Sequence, residues 1–135
     1  MKKTIFLLTI AIFSGMMLFA QSKKSSIEVL YFKANLACCK AKACNVLESD
    51  IQNIITKNYP DGSVKFTEVK LVDVANKDLI DKYNAKSQTV IIVKKTKKKE
   101  TFVDVSDLVQ KYVQSQDKTT FEKDFIAKIN EKPKK

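Results

Sequence analysis

The stretch Ile27-Glu28-Val29-Leu30-Tyr31-Phe32, continued by Lys33-Ala34-Asn35-Leu36-Ala37-Cys38-Cys39-Lys40-Ala41-Lys42-Ala43-Cys44-Asn45-Val46-Leu47-Glu48, decides how this chain is read. Its first six residues are apolar, β-branched or aromatic at all but one position. A short run of that kind marks a strand buried on both faces. Beyond it, Cys44, Leu47, Ile51, Ile54 and Ile55 recur at helical spacing, which predicts a helix over about 41–58. All three cysteines of the chain therefore fall where a buried strand hands over to a helix.

Reading onward, Pro60-Asp61-Gly62 stops that helix. Residues 64–72 alternate like a strand, but the phase slips near Thr67-Glu68, which predicts a bulge or bend. Asn76 is placed to cap a short helix carrying Leu79, Ile80 and Tyr83, and Asn84 to end it. Residues 89–93 (TVIIV) form a second doubly buried strand. A lysine-rich turn links it to a strand over 101–105, an antiparallel hairpin. Ser106 is the expected cap of a helix with Leu108, Val109, Tyr112 and Val113 on one face. Thr119 and Glu122 form an expected capping box for a last helix bearing Phe121, Phe125, Ile126 and Ile129.

The order is β-α-β-α-β-β-α, with the last helix broken in two. The first crossover should be right-handed and its strands parallel. A hairpin then completes a four-stranded mixed sheet with helices on both faces, an α/β fold. Connectivity alone fits several α/β sandwiches. Cysteines at the end of the first strand select the thioredoxin-like one.

The N-terminus has its own character. Lys2-Lys3 precede an apolar run over residues 4–19, and Ala20 precedes a polar segment. This is the pattern of a cleaved secretory signal, and the run is short of the roughly 20 residues a spanning helix takes. The expected organisation is a signal peptide over 1–20, a linker over 21–26, one domain over 27–131 and a tail over 132–135. The short basic start suggests a bacterial periplasm or the cell exterior. No membrane association is expected once the signal is removed.

The formal charge is +10 in 135 residues, carried by lysine runs at 94–95, 97–99 and 132–135. Without interleaved aromatics these read as a solvated turn and a frayed end, not a nucleic-acid surface. The chain holds no histidine, so histidine-containing zinc sites and Ser-His-Asp or Cys-His devices are excluded. Gly15 and Gly62 are its only glycines, too few for a phosphate-cradling loop. No cofactor is expected.

The chemistry then rests on Cys38, Cys39 and Cys44. A thiol acts as the thiolate, which the N–H groups and dipole of a helix N-terminus favour, as do Lys40 and Lys42. Cys44 shares the apolar stripe, whereas Cys38 and Cys39 belong to the preceding loop and should be more open. An exposed thiol beside an inner one suits attack and resolution. A bridge from Cys38 or Cys39 to Cys44 requires the loop to fold back to a Cα separation of about 5.5 Å. A bridge between the adjacent Cys38 and Cys39 would be strained.

The chain resembles the thioredoxin-like family named for the nitrophenyl compound nitroreductase subunit ArsF. The matching residues are Tyr31-Phe32 at the strand end, Cys44, and Leu47-Glu48 in the helix. The resemblance runs over about 27–129 and includes Asp104-Val105-Ser106-Asp107-Leu108. It implies that Cys44 corresponds to the second cysteine of a Cys-x-x-Cys pair. Ala41 stands where the first would be, and Cys38-Cys39 appear in its stead. Ordinary thioredoxins also have a Trp before the first cysteine and a cis-proline before the third strand. This chain has no Trp, and Gln88-Thr89 stand at the proline position.

Three readings of the cluster follow. One is thiol–disulfide exchange, with Cys38 or Cys39 attacking, Cys44 resolving, and protein thiols, disulfides or a redox partner protein as the counterpart. Another is binding of a soft metal or metalloid by three thiolates. The last is a structural disulfide in a non-catalytic binding domain.

Overall fold

The computed structural model describes residues 26–35 and 39–132, with the backbone alone described for 39–44. The expected signal, most of the linker, Cys38 and the last three tail residues lie outside the described residues. The elements are β1 (Ser26–Lys33), α1 (Cys39–Asn58), β2 (Val64–Lys70), a 3-10 turn (Val74–Asn76), α2 (Lys77–Tyr83), β3 (Val90–Lys95), β4 (Glu100–Asp104), α3 (Ser106–Ser115) and α4 (Lys118–Asn130).

The sheet order is β2-β1-β3-β4. β1 and β2 run parallel from Ile27↔Val64 to Lys33↔Lys70, while β3 is antiparallel to both β1 and β4. This is the thioredoxin-like arrangement, with β1 and β3 at the centre. Their residues are buried on both faces, as the apolar runs require. Val29, Tyr31, Val90 and Ile92 pack against Leu47, Ile51 and Ile54 of α1 and against α3 and α4. Leu30, Phe32, Ile91 and Val93 face the opposite way, against Tyr83, Leu79 and Ile80 of α2. Phe121, Phe125 and Ile129 are core, with Phe121 stacked on Tyr112 at 4.5 Å between centroids.

Several local expectations are corrected. The β2 register is unbroken, so there is no bulge at Thr67-Glu68. The apolar residues instead change face: Val64 and Phe66 pack toward α1, Val69 and Leu71 toward α2. Between them, Thr67 and Glu68 are occupied by polar partners on β1, Glu28 and Lys33 respectively. Asn76 precedes α2 without a side-chain cap bond and donates to the Lys70 carbonyl instead, while Asp73 caps the 3-10 turn. Ser106 is the first residue of α3 rather than its cap, and its hydroxyl accepts from the Val90 N–H. Asp117, not Thr119, caps α4, and Glu122 bonds Lys57 and Asn58 of α1. Val113 is exposed, off the apolar face of α3. Lys94 is no part of a solvated turn: it is 6% exposed, under the end of α4.

Candidate functional site

Parallel strands end together at one edge of a sheet, and the crevice beyond their carboxyl ends is where open α/β folds bind and react. Here β1 and β2 end level, at Lys33 and Lys70, and the Leu71 N–H donates to the Lys33 carbonyl at 2.9 Å. The loop before β3 reaches the same end of β1. The Gln88 N–H donates to the Phe32 carbonyl at 2.9 Å, and the Phe32 N–H to the Thr89 carbonyl at 2.9 Å. Gln88 takes a left-handed φ of 67°, and no peptide bond among the described residues is cis. The loop that carries proline in ordinary thioredoxins is thus held against β1 by backbone bonds and a turn closed by Thr89 Oγ1 and the Lys86 N–H.

Of the three cysteines, the structure describes the backbone of two. α1 begins at Cys39, two residues earlier than the expected 41, so Cys39 is helical rather than part of the loop. Cys44 lies further along the same helix, at a position in register with the buried Leu47 and Ile51. Five residues of straight α-helix separate two Cα atoms by about 8.6 Å and turn them about 140° apart. A disulfide tolerates up to roughly 7 Å. A Cys39–Cys44 bridge is therefore incompatible with an intact first stretch of α1. The helix N-terminus does put Cys39 where unpaired N–H groups and the positive dipole end favour an anion.

Charged residues surround this end of the sheet in a way the sequence did not announce. Lys33 Nζ, at the last position of β1, donates to Glu48 Oε2 at 2.6 Å and to Glu68 Oε2 at 3.3 Å. The three side chains are one-fifth to one-quarter exposed. The Glu48 hydrogen bond leads the rise of the Lys33 pKa against a smaller opposing effect of burial. Burial pushes Glu68 up, but the Lys33 hydrogen bond and the charges of Lys33 and Lys70 help to hold the carboxyl below its ordinary range. Glu48 is four residues after Cys44, the spacing of neighbours on one helix face. The only signal for this cluster was the slipped phase of β2, which marks Glu68 as facing something polar. A groove of about 510 Å³ opens beside it, lined by Lys33, Ala34, Asn35, Glu68, Lys70 and Val72.

No protein-family model matches this chain, and no curated protein matches it. Among solved structures, it is similar to a malarial protein with 26% identity and a TM-score of 0.40, over 67% of this chain and 96% of that one. It is also similar to thioredoxin-2, a component of the malaria parasite protein secretion machinery, with 27% identity and a TM-score of 0.42, over 67% of this chain and 84% of that one. Among the described residues, no helix is long and apolar enough to cross a membrane.

Proposed function

We propose that this chain is an exported thioredoxin-like protein that carries out thiol–disulfide exchange through Cys38, Cys39 and Cys44. We further propose that it belongs with the ArsF family, on Tyr31-Phe32, Cys44 and Leu47-Glu48. The observation that carries the redox reading is the start of α1 at Cys39, the first helix after the central strand β1. That position favours a thiolate.

In the reaction, the thiolate of Cys39 or Cys38 attacks one sulfur of a substrate disulfide. The S–S bond breaks, a mixed disulfide forms, and the other substrate sulfur leaves as a thiolate that takes up a proton. Cys44, deprotonated, then attacks the mixed disulfide and releases the second substrate thiol. The protein is left oxidised and the substrate reduced by two electrons. A dithiol partner protein reverses the change. Because Cys39 and Cys44 are too far apart within an intact helix, resolution by Cys44 onto Cys39 uncoils the start of α1.

The test equilibrates the protein with dithiol redox buffers and maps cysteine pairs by peptide mass. A bridge to Cys44 should form and break reversibly at a potential above roughly −300 mV, the upper end for structural disulfides. A bridge that persists in strong dithiol reductant overturns the redox reading. Export is tested separately: the protein recovered from outside the cytoplasm should begin at Gln21.

A further inference from the structure

Among the described residues, one edge of the sheet carries a row of backbone groups with no strand beside it. β4 is the terminal strand, and β3 is its neighbour on one side only. The Val105 N–H donates to the Val90 carbonyl at 3.0 Å, and the Thr96 N–H to the Lys99 carbonyl at 2.9 Å. Both pairs fix the phase of the β3–β4 ladder: Val103 and Thr101 turn their backbone groups toward β3. Glu100, Phe102 and Asp104 consequently turn theirs outward. Phe102 sits at the centre of this row and is 52% exposed.

The two faces beside that edge differ in charge. On the α4 side, Thr101 and Val103 border a groove of about 340 Å³ that holds Lys94, Lys128 and Lys132 against a single carboxylate, Glu131. The exposed Lys97, Lys98 and Lys99 stand at the hairpin end of the same edge. On the α2 side, Phe102 meets Tyr83 edge-on at 5.0 Å, and Glu100 and Asp104 flank it. Glu100 there is already paired with Lys82 at 2.6 Å and with Lys95 at 3.9 Å, so that side offers added acids no net attraction.

We propose that the open edge of β4 receives an extended acidic peptide segment as a fifth, antiparallel strand. Its acidic side chains lie on alternate positions facing the Lys128 and Lys132 groove, and its apolar ones face Phe102. Backbone bonds to Phe102 supply affinity and the alternation supplies selectivity, as in other strand additions. A second copy of this chain is a poor occupant. Two-fold pairing about Phe102 would set Glu100 opposite Asp104 twice, like charge against like. The reading is independent of the cysteines.

The partner's pattern also fixes which of its N–H groups are used. In an antiparallel pair, residues that exchange hydrogen bonds share a face. The bonding residues of the added strand are therefore the apolar ones opposite Phe102, not the acidic ones.

The probe is a blocked, fluorescently labelled octapeptide of alternating Glu and Val, titrated by anisotropy against the protein. Saturable binding is expected, at least tenfold stronger than for a Lys–Val octapeptide. Methylating the valine nitrogens should weaken it at least tenfold, and methylating the glutamate nitrogens should not. The double variant Lys128→Glu, Lys132→Glu should lose at least tenfold. In Phe102→Pro the lost N–H points away from β3, so the fold should persist while binding fails. Amide shifts on titration should centre on residues 100–104. No saturable binding, equal binding of the Lys–Val peptide, or equal binding of both methylated forms overturns the proposal. Loss on glutamate methylation alone overturns the antiparallel register. Self-association of the protein without peptide, with shifts at 100–104, makes a second copy the occupant and likewise overturns it.

Discussion

Lys94 Nζ, in β3, donates to the carbonyl of Lys128 in the last turn of α4 at 3.0 Å, and also to the Glu131 carbonyl. A helix leaves its last carbonyls without partners and with a partial negative charge. A buried ammonium at that point answers both. Lys94→Met should therefore destabilise the fold by about 1–3 kcal/mol, the cost of leaving buried acceptors without their charged donor. Burial holds the Lys94 pKa below its ordinary 10.5, with Lys128 adding to the effect and Glu131 opposing it. The unfolded chain then keeps its proton longer, so the lysine's contribution to stability rises with pH up to about 10.5. Urea denaturation of both proteins through pH 8–10.5 checks this: the gap between them should widen as the pH rises.

The start of α4 discriminates between two caps. Asp117 Oδ1 accepts from the Thr120 N–H at 3.0 Å, and its other oxygen accepts from the Thr120 hydroxyl at 2.6 Å. Asp117→Ala should cost about 1 kcal/mol, the usual loss of an N-cap. Thr119→Ala should stay within about 0.5 kcal/mol, as for a surface site away from such features. Thermal melts of the two variants decide it, and equal losses would contradict the cap described.

The contrast between Asp117 and Thr119 also shows where sequence reading works. Strong apolar runs such as Val90-Ile91-Ile92-Val93 leave one solution, a central strand with helices on both sides, and the layer order follows from them. Caps are chosen among neighbouring polar residues that differ by tenths of a kcal/mol, so tertiary bonds decide, as when Ser106 Oγ serves Val90 and Glu122 serves Lys57. Lys94 hid inside a lysine run because composition cannot tell which lysine turns inward. At the candidate site, the junction of strand and helix was legible. The Lys33–Glu48–Glu68 cluster was not, because its members come from three elements far apart in sequence.

That cluster makes a prediction of its own. Lys33→Met leaves Glu48 and Glu68 facing each other without the cation between them. Near neutral pH this should cost about 2 kcal/mol, in the range of hydrogen bonds to charged groups. Glu68 in the intact protein is held below its ordinary 4.5, so its contribution is present above that value and fades as the pH falls through the folded pKa. The variant lacks that contribution and gains relief when a carboxylate is protonated. Denaturation midpoints of the two proteins should therefore converge on going from pH 7 to pH 3.

Tyr112 gives the opposite sign at the alkaline end. Its hydroxyl donates to Asp50 Oδ2 at 2.7 Å, and Lys118 Nζ holds the other oxygen of the same carboxylate at 2.5 Å. This joins α1 to both C-terminal helices. Burial, then the hydrogen bond to Asp50 and its charge, push the phenol up to about 12 from an ordinary 10.0. A group that keeps its proton longer when folded contributes fully below its unfolded pKa and loses the contribution as pH rises through the folded value. Tyr112→Phe should cost about 1 kcal/mol at neutral pH, since Asp50 retains Lys118 and loses only one donor. From pH 10 to pH 12 the wild-type protein should lose stability more steeply than the variant, and the two curves should close. Parallel curves over that range would mean that the Tyr112–Asp50 bond is not what holds the phenol's proton.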